Sequence, residues 1–259
     1  MKRLFLLSVV ISQICGATVA LSNSNGWKTR PVVPELARNN VDSRSKTQKW
    51  DAVRFLKQSS KFISLNPLKK NGNNLKKIIS PNDVVWSATS GNENDFGFFP
   101  LDDVVMGGVS KSSFDNDGGI WSGFVDSANN GGFVGVRSSP SFQYDFSKCN
   151  GLKIKVEGGQ GKRFKFIVRD STDFNGVCWT SSFDVPKPLF GSRGTTSVQI
   201  PFSKQVPTIF ARTVPDQKFN KMNVVGAQLA YSKFEYDGEL NPNFELGEFE
   251  LRVVEIVAY

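Results

Sequence analysis

The residue types that carry most protein chemistry are scarce in this chain. There is no His among its 259 residues, which removes the commonest general base, the Ser-His-Asp and Cys-His arrangements, and most transition-metal sites. Cys15 lies in an apolar run near the start. Cys149 and Cys178 are isolated thiols, too few for a zinc site or a disulfide framework. They are expected as buried free thiols, with a single bridge between them as the alternative. Asp102 and Asp103, with the carbonyls of Asn129 and Asn130, offer the clustered oxygens that calcium takes, against plain solvation at a turn and strand edge. Arg137 and Arg169 are expected to pair with acids on sheet faces, or alternatively to grip a partner's carboxylate. Gly161-Lys162 imitates a phosphate-binding loop, but Val156 stands where that motif needs its first Gly and Arg163 where it needs Ser or Thr. No catalytic set, metal site or cofactor site emerges, and the chain is read as a non-enzyme.

The elements that position these residues are strands. Leu152, Ile154 and Val156 alternate with Lys153, Lys155 and Glu157, and after Gly158-Gly159-Gln160-Gly161 the alternation resumes with Phe164, Phe166 and Val168 against Lys165 and Arg169. That pattern predicts a β-hairpin with one buried and one wet face. A second hairpin is predicted at 129–132, with arms at 120–125 and 133–137, because Asn130-Gly131 suits a type I′ turn with positive φ at both central residues. Further strands are expected at 178–183, 197–202, 224–230 and 249–258. In the last, Phe249, Leu251 and Val253 share one parity before Val254 and Ile256 take over, which predicts a β-bulge. No helix of ten or more residues is expected after residue 80. The body, residues 78–259, is therefore read as all-β, a two-sheet antiparallel β-sandwich of jelly-roll type. Trp121, Trp179, Tyr144, Phe133 and Phe183 suit core packing; if exposed on a concave face, they would instead suit stacking on sugars.

Charge divides the chain in two. Residues 1–80 hold 15 of the 32 Lys/Arg and 3 of the 24 acids, a net of +12, whereas the remainder holds 17 and 21, a net of −4. A nucleic-acid-binding body would carry its own basic patch, so no nucleic-acid partner is expected. Met1-Lys2-Arg3, the apolar run at 4–15 and the small residues Ala17 and Ala20 have the layout of a signal peptide over 1–20, with no transmembrane segment in the mature chain. Residues 21–77 form a basic, acid-poor extension of transit-peptide composition. Within it, 50–64 is an amphipathic helix candidate able to dock on a membrane surface or a partner, and 66–74 a linker. The two parts together resemble the bipartite presequence of a secondary plastid. A mitochondrial presequence is the alternative, and simple secretion is disfavoured by the absence of any N-x-S/T sequon.

The most distinctive strings are Asp102-Asp103-Val104-Val105-Met106-Gly107-Gly108-Val109-Ser110, Asn129-Asn130-Gly131-Gly132-Phe133 with Arg137, residues 158–169 including Arg163 and Arg169, and Ile200-Pro201-Phe202. In order and spacing they resemble the complex I intermediate-associated protein 30 family, over about residues 80–259. Two departures stand out: Gln160 replaces an acid before the second Gly of the 158–169 motif, and Lys204-Gln205-Val206 carries no aromatic before Pro207. The resemblance implies a galactose-binding-like β-sandwich related in shape to carbohydrate-binding modules. It also implies a role assisting assembly of a membrane complex, either respiratory complex I or, in plastids, a photosynthetic complex. The partners would be subunits or assembly intermediates. No catalytic residues come with the family. A carbohydrate-binding module is the alternative reading, marked by exposed Trp or Tyr along a groove.

Overall fold

Alternating apolar residues bury one face of a strand, so a chain rich in such runs can form a core only by closing two sheets on each other. The computed structural model describes residues 76–139, 142–159, 161–173, 175–187 and 194–259. The signal-peptide, transit-peptide and amphipathic-helix expectations lie outside these residues, apart from the last two positions of the extension. The described strands are β1 Lys77–Ile78, β2 Val84–Ser87, β3 Gly97–Pro100, β4 Lys111–Asp115, β5 Ile120–Val125, β6 Phe133–Ser139, β7 Tyr144–Asp145 and β8 Gly151–Gly158. They continue with β9 Arg163–Arg169, β10 Cys178–Asp184, β11 Thr195–Pro201, β12 Val206–Ile209, β13 Arg212–Thr213, β14 Gly226–Ser232 and β15 Gly247–Ala258. Helical structure among the described residues amounts to 3₁₀ turns of three or four residues, and no helix is long and apolar enough to cross a membrane.

One sheet runs β11-β8-β15-β5-β4, with β2 also paired to β15; the other runs β13-β12-β10-β9-β14-β6-β3. Every pairing in these two sheets is antiparallel. The exception to an antiparallel architecture is the small parallel pair β1-β7. Inner faces from both sheets merge in one core. Aromatic rings bridge the layers: Trp121 of β5 lies 5.9 Å from Phe164 of β9, and Tyr231 of β14 lies 5.6 Å from Phe249 of β15.

The parity switch in β15 is a bulge. Val253 pairs with Val156 and Glu255 with Lys155, so Val254 is the extra residue. Phe249, Leu251 and Val253 point inward before it, and Ile256 and Ala258 after it. Without that inserted residue the second half of the strand would turn its apolar side chains to solvent.

Both predicted hairpins are instead crossings between sheets. β8 pairs with β11 and β15, whereas β9 pairs with β10 and β14; the Gly-rich segment between them carries the chain from one layer to the other. Likewise β5 belongs to one sheet and β6 to the other. The turn lies one residue earlier than the predicted Asn130-Gly131 centre: Asn129 (55°) and Asn130 (60°) take the positive φ values, the Gly131 N–H closes on the Ala128 carbonyl at 2.9 Å, and Gly131 itself is at −63° before Gly132 at 109°. β9 has no wet face: Lys165, Ile167 and Arg169 are buried like the residues between them. Cys149 and Cys178 are both free, the first buried and the second half-buried.

The start of the described chain is fastened by ionic contacts. Lys77 Nζ donates to Asp95 Oδ2 at 2.7 Å, and the Tyr144 hydroxyl donates to the same oxygen. Lys77 and Tyr144 together hold the Asp95 carboxyl below the ordinary range, and burial, then the Asp95 bond, raises the Tyr144 hydroxyl. The Asp95 contribution is therefore complete above the ordinary carboxylate pKa and drains away as pH falls through its lowered value. That of Tyr144 is complete below about 10 and is lost as pH rises beyond it. In urea titrations, Asp95→Asn is expected to flatten both the acid and the alkaline limb of the stability profile. An unchanged profile would show that this junction does not contribute.

Candidate functional site

The sequence motifs at 102–110 and 129–133 meet at one buried carboxylate. Asp102 and Asp103 have 0% and 1% exposure, so the expected edge solvation does not occur, and β4 begins only at Lys111. Asp103 opens a 3₁₀ turn that ends at Met106 and is capped by Gly107 with φ of 93°. Its Oδ1 accepts the Ser110 N–H at 3.0 Å, and its Oδ2 accepts the Ser110 hydroxyl at 2.6 Å, the Gly132 N–H at 3.0 Å and the Phe133 N–H at 3.4 Å. Asp102 accepts the Ser112 N–H at 3.0 Å and the Ser112 hydroxyl at 2.5 Å. Asn129 Nδ2 donates to the Gly107 carbonyl at 3.0 Å, and Lys233 Nζ to the Asn130 carbonyl at 3.3 Å.

Close approach explains two of the glycines. A Cβ on Gly108 would lie 2.2 Å from Asp103 Cγ, and one on Gly131 would lie 2.6 Å from Asp103 Oδ2. The carboxylate occupies the space those side chains would need. Both acids thus face N–H and O–H donors, the opposite of what a cation ligand presents, and the calcium expectation fails on that geometry. Burial raises the Asp103 carboxyl, with the bonds from Ser110, Gly132 and Phe133 opposing it. The cluster is a tie between the 102–112 segment and the 128–133 crossing.

The three arginines lie elsewhere, on the outer face of the β13-β12-β10-β9-β14-β6-β3 sheet. Arg163 forms two 2.7 Å bonds to the Asp184 carboxylate across β9 and β10. Arg169 bonds to the Cys178 thiol and the Asp173 carbonyl. Arg137, 9% exposed, is held by burial, and by the neighbouring Arg169 charge, at about 10.

The same face carries a group that the sequence reading placed in solvent. Lys165 Nζ donates to the Phe234 carbonyl at 2.8 Å and to the Glu235 carbonyl at 2.6 Å, and sits 4.9 Å from the Tyr236 ring. Ser182 Oγ donates to Glu235 Oε2 at 2.5 Å. Residues 233–241 form a strap over these side chains. Asn241 Nδ2 fixes its root to the Arg163 and Ser232 carbonyls, and Asp237 fixes its tip by accepting from Thr213 N and Oγ1. The only early signal was the alternation of Arg163, Lys165 and Arg169 on one strand.

The strap meets the β12–β13 turn through Asp237 N–H to the Ala211 carbonyl at 2.9 Å, and large apolar side chains along the two are exposed. Phe210 is 68% exposed, and Leu240 and Phe234 are also exposed. By contrast Trp86, Trp121 and Trp179 are all buried, so none of the described Trp residues offers the stacking surface of a glycan reader.

The family described as Complex I intermediate-associated protein 30 (CIA30) matches residues 90–253. No curated protein matches the chain. Among solved structures, a family 11 carbohydrate-binding module of the cellulosomal cellulase Lic26A-Cel5E of Clostridium thermocellum is similar at 13% identity and a TM-score of 0.40, covering 70% of this chain and 96% of that one. A family 11 module from the same organism, in complex with a β-1,3-1,4-mixed-linked tetrasaccharide, gives 16% identity and 0.32 over 62% and 95%. An exo-β-agarase gives 11% and 0.38 over 68% of this chain and 25% of its own.

Asp103→Ala leaves the Ser110 and Gly132 N–H groups buried without an acceptor and should cost about 3 kcal/mol. Gly108→Ala forces a methyl into the carboxylate and should cost about 2 kcal/mol. Urea denaturation of each variant measures this, and midpoints equal to that of the unaltered protein would refute the tie.

Proposed function

The chain belongs to the complex I intermediate-associated protein 30 family, and on that premise we propose that it is a non-catalytic assembly factor for a membrane protein complex. It binds a partly assembled subunit of NADH:ubiquinone oxidoreductase, or of a plastid photosynthetic complex, and holds it until partners join. The family match over residues 90–253 carries this reading. The two-layer antiparallel packing is consistent with a galactose-binding-like sandwich serving as a rigid display scaffold.

The exposed Phe210 on the β12–β13 turn and Phe234 and Leu240 on the strap that meets it are the surface through which we propose a client is held, since exposed apolar side chains among polar ones are what a transient partner buries. Phe210 and Ala211 form the β12–β13 turn at φ of 48° and 61°, values that bulky L-residues adopt at a cost. An outward-facing Phe at such a turn is easier to account for by contact with a partner than by folding. Residues 1–77 are the proposed address, to a secondary plastid or otherwise a mitochondrion.

Affinity purification of the tagged full chain from the native organelle should recover complex I or photosystem subunits. Phe210→Ser with Phe234→Ser should reduce that recovery severalfold while leaving the melting temperature unchanged. Recovery of no such subunit would refute the assembly role. Fluorescent tagging with and without residues 1–50 tests the address: loss of organellar signal on deletion is expected, and an unchanged distribution would overturn it.

A further inference from the structure

The outer strand of a sheet presents a row of unpaired backbone groups, and this fold seals most of its outer strands in one way. On β2, Asn94 accepts the Ser87 N–H at 3.0 Å and donates to the Ser87 carbonyl at 2.7 Å. On β3, Asn116 accepts the Phe98 N–H at 2.6 Å and donates to the Phe98 carbonyl at 3.0 Å. Asp102 accepts the Ser112 N–H on β4, and Asp237 accepts the Thr213 N–H on β13. An Asn or Asp side chain thus bonds the backbone of each of these strands. β11, the other outer strand of the β11-β8-β15-β5-β4 sheet, has no such side chain among the described residues. It runs Thr195–Pro201 without a charged residue and pairs with β8 in unbroken register. Bonds to a neighbouring strand alternate along the chain. Phe202 N–H donates to the Asn150 carbonyl at 2.9 Å, on the β8 side. Even positions of β11 therefore face β8, and the N–H and C=O of Thr195, Ser197 and Gln199 face away from it. Pro201, of the same parity, withholds no N–H from β8.

We propose that β11 pairs with β11 of a second copy of this chain, antiparallel, about a twofold axis at Ser197. Thr195 meets the partner's Gln199 and Ser197 meets the partner's Ser197, each pair exchanging N–H and C=O in both directions. The side chains suit their own copies. Thr195, Ser197 and Gln199 are exposed and uncharged, so no like charges oppose each other along the seam. On the inner face, Val198 is only partly buried against the core, and the partner's Thr196 would cover it. The neighbouring strand fixes the register. Lys153 pairs with Gln199 and Glu157 with Thr195, so one cross-strand row runs from Lys153 through Gln199 and the partner's Thr195 to the partner's Glu157, with opposite charges at its ends. In the central row each Lys155 has Glu255 of its own chain at 3.9 Å. An axis at Val198 would set Thr195 against the partner's Pro201, which has no N–H, and Lys153 in a row with the partner's Lys155. Such a pairing uses the same patch on both copies and closes on itself. The sealed edges elsewhere keep the assembly at two copies. The pairing rests on β11 and β8 alone, and its failure would leave the assembly-factor reading untouched.

Sedimentation equilibrium of the full chain over a micromolar dilution series should show a monomer–dimer transition. Ser197→Glu places its carboxylate opposite Lys155 within its own sheet, so the monomer is not weakened, but it sets two carboxylates against each other across the axis. It should raise the dissociation constant about tenfold or more at an unchanged melting temperature. A second measurement fixes the register. Ser197→Cys should be joined to its counterpart by a short bismaleimide. Gln199→Cys should react far more slowly, because its counterpart lies four positions along the seam, roughly 13 Å away. The unaltered protein, with Cys149 and Cys178 in place, is the control for cross-linking at other thiols. A monomer at every concentration, a dimer indifferent to Ser197→Glu, or Gln199→Cys cross-linking as readily as Ser197→Cys would overturn the proposal.

Discussion

A carboxylate sealed inside a protein must be surrounded by donors, and this requirement organises one end of the sandwich. Asp103 collects the hydroxyl and amide of Ser110 and the amides of Gly132 and Phe133. Those donors come from two stretches that lead into different sheets: Ser110 precedes β4, and Gly132 precedes β6. One acid therefore ties the entry to β4 in one layer to the entry to β6 in the other. Glycine at 108 and 131 follows from the volume of the carboxylate, and Ser110 follows from its lone pairs. A string that looks like a binding loop is accounted for by internal bonding.

Function must then be sought away from the motif, and the outer face of the β13-β12-β10-β9-β14-β6-β3 sheet is where the chain departs from ordinary sandwich design. An antiparallel sheet usually offers one face to water. Here that face carries cations and amides, yet most are shielded, in part by the strap at 233–241. The strap buries Glu235 at 6% exposure with one carboxylate oxygen lacking a hydrogen-bond partner, an arrangement that costs stability. Such polar expense is better suited to recognition than to holding layers together, which the aromatic bridges already do. The exposed Phe234 and Leu240, paired across the strap near its root, and Phe210 beside its tip give the strap an apolar outer surface.

The strands were largely legible because alternation is a local property: β8, β9, β10, β11, β14 and β15 lie where apolar periodicity put them, and the Val254 bulge was visible as a change of parity. Pairing was not legible. Gly-rich turns flanked by alternating arms look the same whether the arms return side by side or cross to the opposite layer, and both predicted hairpins were crossings. Burial of Lys165 and Arg169 was hidden for a related reason, since nothing near them in sequence announces that residues 233–241 will fold over them. The motif residues were found, but their role was not. Whether Asp103 faces a cation or amides depends on Ser110 and Gly132, seven and twenty-nine positions away.

The bulged strand β15 has a consequence for how the molecule is made. It is the last of the described strands in chain order, yet it lies between β8 and β5 and also pairs with β2. Until it arrives, that sheet has a slot in its middle, and the apolar faces of its neighbours have no lid. Early-synthesised segments cannot lock into place one after another, and closure waits for β15. Pairings of such long sequence separation make closure slow.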